Sequence, residues 1–205
     1  MVRHMTPRRR SDPGADTVRL DARNLRGLAH PVRVRMLGLL RNEGPSTATL
    51  LGERLGLSSA ATSYHLRQLA DYGFIVDDPD APRSHGRERW WRSKARSTVL
   101  DHTPDDPDAA LAAQEYLRAV AGHAAEVVAR WLDEAETAPE QWRNVSNLSD
   151  TLLRLTVDET AELVRRIDEV VASMRRHEPG KRGPRGSEPV TVQWQVVPRL
   201  GKGSR

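Results

Sequence analysis

A single glycine, Gly56, separates two short amphipathic runs, and that junction constrains the chain more than any other feature. Upstream, Leu50, Leu51 and Leu55 recur at helical intervals, and glycine is the residue that most readily closes a helix in the left-handed conformation. Downstream, Ser58 offers an N-cap, and Thr62, Leu66, Leu69 and Ala70 return every three or four residues as one buried stripe. A connection of about three residues forces the two helices to cross. Gly52, one turn before the end of the first helix, removes a side chain where that crossing is tightest, and Leu57 fills the corner. The predicted element is a helix-turn-helix.

The other face of the second helix is small and polar. Ser58, Ser59, Ala60, Ser63, Tyr64 and Arg67 project from it, with the serines at the positive end of the helix dipole. That combination suits a phosphate backbone and the edges of bases, so we read it as a DNA recognition helix. His65 joins the set from beside the buried Leu66. Two bland alternatives stay open: Tyr64 lying over a neighbouring helix, and Ser63 bonding back to a carbonyl.

Charge is distributed to match. Residues 1 to 100 hold 18 Lys+Arg against 10 Asp+Glu (18 − 10 = +8), whereas 101 to 205 hold 14 against 18 (14 − 18 = −4). A polyanion partner for the first half is the simplest account, since lysine and arginine at phosphates release counterions. Residues 1–16, with Arg8-Arg9-Arg10, Pro7, Pro13 and Gly14, read as a disordered basic arm.

Two core helices precede the junction, one carrying Leu20, Leu25, Leu28 and Ala29, the next Val32, Met36, Leu37, Leu39 and Leu40, with Pro31 as an early helical position. After the recognition helix, Gly73 leads into Phe74-Ile75-Val76 as a strand, a polar tip from Asp77 to Arg87, and Glu88-Arg89-Trp90-Trp91-Arg92 as the returning strand. This is a β-hairpin wing whose tip offers Arg83, His85 and Arg87 to an adjacent groove. Alternation sends one of Trp90 and Trp91 inward.

Three separated motifs now stand in order: Leu28-Ala29-His30-Pro31-Val32-Arg33-Val34-Arg35-Met36-Leu37, then Ser63-Tyr64-His65-Leu66, then Tyr72-Gly73-Phe74-Ile75-Val76. Together they resemble winged helix-turn-helix transcriptional regulators of the ArsR type, in an actinobacterial-like form. The resemblance covers roughly residues 20 to 95. It implies a homodimeric regulator with recognition helices in successive major grooves and wings along the backbone, and repression as the default direction. Thiolate metal sensors of that family carry cysteines in the helix before the recognition helix. Here that segment, Thr47 to Gly52, has none, and the whole chain has no Cys, so this is the non-thiolate kind.

Past a linker at residues 101–107, Asp106 and Pro107 open a long helix. In it Ala110, Ala113, Leu117, Val120, Ala124, Val127 and Trp131 recur at intervals of 3, 4, 3, 4, 3 and 4, an a/d seam of three heptads. We expect Ala113, Leu117, Val120, Ala124, Val127 and Trp131 to pair with a symmetry mate, against the plainer reading that they pack on their own domain. Further on, Leu152 to Leu155 suggest a strand, Thr156-Val157-Asp158-Glu159 a capping box opening a helix, and Val190, Val192, Trp194 and Val196 an alternating strand. The expected architecture is therefore α+β and predominantly helical: residues 17–98 a winged helix-turn-helix, 104–136 a dimerisation helix, and 139–200 a small strand-helix-strand unit.

Chemistry has little foothold. The chain has no Gly-rich phosphate loop, no nucleophile elbow and no cysteine, so we expect no enzyme and no cofactor. His123 and Glu126 stand at i, i+3 in the long helix with Asp101-His102 before it, but the spacing is loose and we assign no metal. A metal-responsive regulator of the same fold and a winged-helix docking module without DNA binding remain the alternatives. No apolar run approaches a membrane span and the first residues lack a signal-peptide core, so we expect a cytoplasmic protein with double-stranded DNA and a second copy of itself as partners. A small-molecule effector is left open, since the residues identify none.

Overall fold

The structure is a computed structural model that describes residues 16–78, 88–100 and 105–199. It divides into two compact units, residues 1–127 and 128–205.

In the first unit, β1 (Thr17–Arg19) leads to α1 (Ala22–Leu28), α2 (Pro31–Asn42), β2 (Ser46–Thr47), α3 (Ala48–Leu55) and α4 (Ser59–Asp71). Then follow β3 (Ile75–Asp77), β4 (Trp90–Ser93), β5 (Ser97–Val99) and the start of α5 (Pro107–Glu134). Each helix begins where a short polar side chain can occupy an orphan backbone N–H. Asp21 and Asn24 form a reciprocal capping box on α1, Thr47 caps α3 by accepting from Leu50 N–H, and Ser58 caps α4 by accepting from Ala61 N–H. The cap of α2 is less usual. His30 Nδ1 accepts from Val32 N–H at 3.2 Å, with Pro31 in the first turn, where its missing N–H costs nothing.

The helix-turn-helix geometry follows from its glycines. Gly56 closes α3 at φ 67° and Leu57 N–H turns back to Gly52 O at 2.9 Å. A Cβ on Gly52 would stand 2.9 Å from Leu57 O and 3.1 Å from Thr62 Oγ1, so the missing side chain lets the turn and α4 lie against α3. Thr62 is fully buried there, its hydroxyl donating to Ser58 O at 2.9 Å. Leu66 and Leu69, the next stripe positions, are also fully buried. They join Leu25 and Leu28 of α1, Met36, Leu37 and Leu40 of α2, Leu51 of α3, and Phe74, Ile75 and Trp91 of the wing in one core. Each such side chain contributes about 1.5–3 kcal/mol when fully buried.

The wing is a three-stranded antiparallel sheet ordered β2-β4-β3, with Ile75 opposite Ser93, Asp77 opposite Trp91 and Ser46 also opposite Trp91. Trp91 is the inward tryptophan and Trp90 is half-buried. The hairpin tip at residues 79–87 lies outside the described residues. Beside β2, which adds a third strand to the expected hairpin, two more strands not anticipated complete the unit. β1 pairs in parallel with β5, Thr17 beside Ser97 and Arg19 beside Val99, so Val18 and Leu20 join the core periphery just ahead of α1.

The long helix α5 forms as expected, capped by Asp106, whose carboxylate accepts from Ala109 N–H at 2.9 Å. Its inward face in this unit is Ala109, Ala112, Ala113, Tyr116 and Ala119, all buried. The Tyr116 and Thr98 hydroxyls hydrogen-bond at 3.0 Å and fasten it to β5.

The second unit holds the end of α5, α6 (Glu140–Val145) and α7 (Val157–Ser173). The capping box on α7 is as expected: Glu159 N–H donates to Thr156 Oγ1, and Thr156 N–H donates to Glu159 Oε2. The flanking strands are not. Residues 152–155 and 190–196 belong to no strand or sheet, because apolar patterning marks a segment for a ladder without providing the neighbour that completes it.

If the α3–α4 crossing depends on the missing side chain at Gly52, Gly52→Ala forces the turn apart. Urea unfolding should show a loss of about 1–3 kcal/mol, the usual cost of overpacking.

Candidate nucleic-acid interface

Helix α4 is held on one side and free on the other. Thr62, Leu66 and Leu69 are buried, whereas Ser58, Ser59, Ala60 and Arg67 are exposed, Tyr64 is 52% exposed and Ser63 is half-buried. These six are brought to one side of the helix, with the first-turn N–H groups of α4 at its leading end. The exit is fixed as firmly as the entry. Gly73 adopts φ 80°, Gly73 N–H donates to Ala70 O at 2.9 Å, and Phe74 N–H donates to Leu69 O at 2.9 Å, turning the chain into the wing.

His65 faces elsewhere. Its ring lies half-buried with its centroid 4.6 Å from that of His30, against the N-terminus of α2, and Tyr64 meets its edge at 5.4 Å. His65 is therefore half-buried on the α2 side of the helix and not on its exposed face, against the His30 that caps α2. Arg33 completes this contact from α2, its Nε donating to Gly27 O at 2.6 Å and its Nη2 to Arg26 O at 2.9 Å. That tie holds the end of α1 to α2 and so sets the floor beneath α4.

Burial and the neighbouring Arg33 cation, in that order, lower the His30 pKa. Burial lowers that of His65 too, followed by His30 and Arg33. Both rings are thus neutral at pH 7, consistent with a His30 Nδ1 that accepts a hydrogen bond. His65 Nδ1 is buried without a protein partner.

In the wing, Arg83, His85 and Arg87 lie outside the described residues. The described arginines are Arg89 and Arg92. Arg89 stacks over the Trp91 ring at 4.1 Å and pairs with Asp77 at 2.8 Å, and Arg92 lies 3.8 Å from Asp78. Sequence reasoning passed over Arg89 as a strand residue. Its place two residues before the inward Trp91, on the same side of an alternating strand, was the available signal. Arg23 and Arg26 of α1 were missed also: with Gln68, Asp71 and Tyr72 they line an open hollow beside the C-terminal end of α4. Only their spacing on one short helix marked them.

The expected dimerisation residues divide between two faces of α5. Ala113 is taken up by the chain's own core, whereas Leu117 is 49% and Val120 39% exposed, and Ala124, Val127 and Trp131 are half-buried. The inward face and the heptad seam are neighbouring stripes that share Ala113, which packs on the chain's own core. His123 lies 3.8 Å from Glu126, which is taken by Arg35 at 3.2 Å, and among the described residues no three metal-ligating side chains cluster. No described helix is long and apolar enough to cross a membrane.

Comparison with known proteins agrees with this geometry over the recognition region. A family described as a helix-turn-helix domain matches residues 28–77. The HTH-type transcriptional regulator NmtR of Mycobacterium tuberculosis is 42% identical over 57 residues, which is 28% of this chain and 47% of that protein. The chain thus spans about half the length of that relative. A solved structure of Lactococcus lactis ZitR in apo form aligns over 70% of this chain and 83% of its own, at 15% identity and a TM-score of 0.31, too slight a likeness to carry an argument.

The histidine contact has a pH signature. Because both folded-state pKa values lie below the ordinary 6.5, the unfolded chain takes up these protons first as pH falls. Stability conferred by the neutral pair is present above about pH 6.5 and lost on acidification toward the folded values. Urea unfolding at pH 7.5 and pH 5.5 should show the weaker fold at pH 5.5, and His65→Gln should narrow the difference.

Proposed function

We propose that this chain, an ArsR-type winged helix-turn-helix protein, is a DNA-binding transcriptional regulator that occupies a pseudo-palindromic operator as a homodimer and represses by blocking polymerase. The observation that carries the reading is α4 itself: a helix anchored by Thr62, Leu66 and Leu69 that presents Ser59, Ala60, Ser63, Tyr64 and Arg67 outward with no large aliphatic residue among them. Short side chains let the helix backbone approach a major groove closely. Arg67 supplies the fork that reads guanine, and Ser58, Ser59 and the first-turn N–H groups meet phosphate. Arg23 and Arg26 add positive charge beside its C-terminal end, within the half of the chain whose charge is +8.

Dimerisation follows from the side of α5 that its own domain leaves bare. Leu117 and Val120 with Ala124, Val127 and Trp131 give a seam for a symmetry mate, and a two-fold pair sets half-sites about one helical turn apart. Each α4 has few side chains long enough to reach bases, so doubling the contacts accounts for affinity that one protomer lacks.

An in vitro selection for bound duplex, followed by gel shifts, tests the reading. Ser63→Ala together with Arg67→Ala should abolish the specific shift while sedimentation still finds a dimer, and unchanged operator affinity would sink the assignment of α4. The logarithm of affinity should fall with the logarithm of salt concentration by about 0.9 per phosphate contacted. A docking surface for another protein would show no such slope. Leu117→Asp with Val120→Asp should return the chain to a monomer in sedimentation and weaken operator binding by more than tenfold.

A further inference from the structure

Behind α4 two imidazoles and a guanidinium meet, and among the described residues neither ring pairs with a carboxylate. His30 and His65 lie 4.6 Å apart between ring centroids, with Arg33 beside both. His30 Nδ1 accepts from Val32 N–H, a bond that exists only while that nitrogen is unprotonated. Protonation there turns the acceptor into a donor aimed at another donor, and sets a positive charge at the positive end of the α2 dipole. His65 Nδ1 is buried without a protein partner, so a proton placed on it finds no protein acceptor. Arg33 is held in position by its bonds to Gly27 O and Arg26 O of α1. The other charged groups on the surrounding elements leave the two rings unpaired. On α1, Arg26 lies 4.0 Å from Asp108. In the cleft that Ala29 and Pro31 share with α5, Arg35 pairs with Glu126 at 3.2 Å, and Glu115, Arg118 and His123 complete the lining. Tyr64 of α4 and Tyr72 just beyond it act on Arg33.

We infer that His30 and His65 form an acid-sensitive switch on α4: protonation of the pair uncaps α2, parts the two rings and releases bound DNA, while the core keeps the chain folded. The inference rests on the DNA-binding reading proposed above and adds its regulation. Both pKa values are lowered, by burial first and then by neighbouring positive charge, so the switch acts below pH 6.5 and the neutral form prevails at pH 7. Tyr64 carries the change outward, since its half-exposed ring meets the edge of His65 with centroids 5.4 Å apart. Thr62, Leu66 and Leu69 stay buried beside the joint, so its loss re-aims α4 without melting it. The sign of the effect is diagnostic. A basic protein gains positive charge on acidification and ordinarily holds a polyanion more tightly. A switch at this joint gives the reverse.

Fluorescence anisotropy of the full chain on its selected operator duplex, from pH 7.5 to pH 5 at fixed ionic strength, tests the switch. Affinity should fall by about tenfold or more, since one required neutral imidazole can cost about tenfold per pH unit below its pKa. Far-UV circular dichroism should not change over the same range. His30→Asn keeps a capping acceptor that does not titrate, and should bind at pH 7.5 within about twofold of the parent chain while losing most of the acid response. His65→Gln, compared with its own affinity at pH 7.5, should lose most of it as well. Affinity that holds or rises on acidification overturns the switch. So does an acid loss that both variants retain, or one that tracks unfolding. A second readout needs no DNA: in the free parent chain the Val32 amide should lose protection from exchange in acid, relative to its intrinsic rate, and in His30→Asn it should not. An unchanged Val32 amide overturns the joint itself, whereas failure to bind any duplex at pH 7.5 removes the DNA reading and the release with it.

Discussion

The contact on which the first unit depends is the one between Gly52, Leu57 and Thr62. With no side chain at 52, α3 lies against the turn and the first buried position of α4, and Thr62 can enter the interior with its hydroxyl returned to Ser58 O. The orientation of α4 is settled there, before any of its outer residues matter. Leu66 and Leu69 then lock the helix to α1, α2 and the wing, which leaves the opposite side with only small polar groups, Tyr64 and Arg67. The outward face is thus a consequence of how tightly the inward face is held.

A second layer of constraint lies under that helix. Arg33 ties the carbonyl end of α1 to α2, and His30 caps α2 with the same ring that meets His65. Two half-buried imidazoles beside an arginine favour their neutral forms, so protonation works against this joint. It places a titratable contact behind α4, on the side away from Ser59, Tyr64 and Arg67.

The helix α5 carries two neighbouring stripes, and its own domain covers one of them. Alanines at 109, 112, 113 and 119 allow a close approach to the domain, with Tyr116 as the single large side chain and its hydroxyl satisfied by Thr98. Less than a quarter turn away, Leu117 and Val120 remain in water. A heptad count finds the second stripe because its larger residues are evenly spaced. It misses the first, because alanine carries little periodic signal.

Local rules set the starts and ends of several helices legibly: the caps at Ser58, Asp106 and Thr156, the left-handed close at Gly56, and the wing strand after Gly73 each follow from one or two residues and their backbone preferences. The anchored stripe and outward set of α4 were legible too, since burial there follows helical period. What required tertiary structure was every pairing between distant segments. β1 with β5 joins residues 80 apart in a three-residue ladder too short to show a pattern, and His65 faces His30 because α2 lies there. The same reason explains the error at 152–155 and 190–196. Alternation in a sequence states which face of a strand is apolar, but a strand exists only when another backbone accepts its hydrogen bonds, and no local pattern encodes where that backbone is.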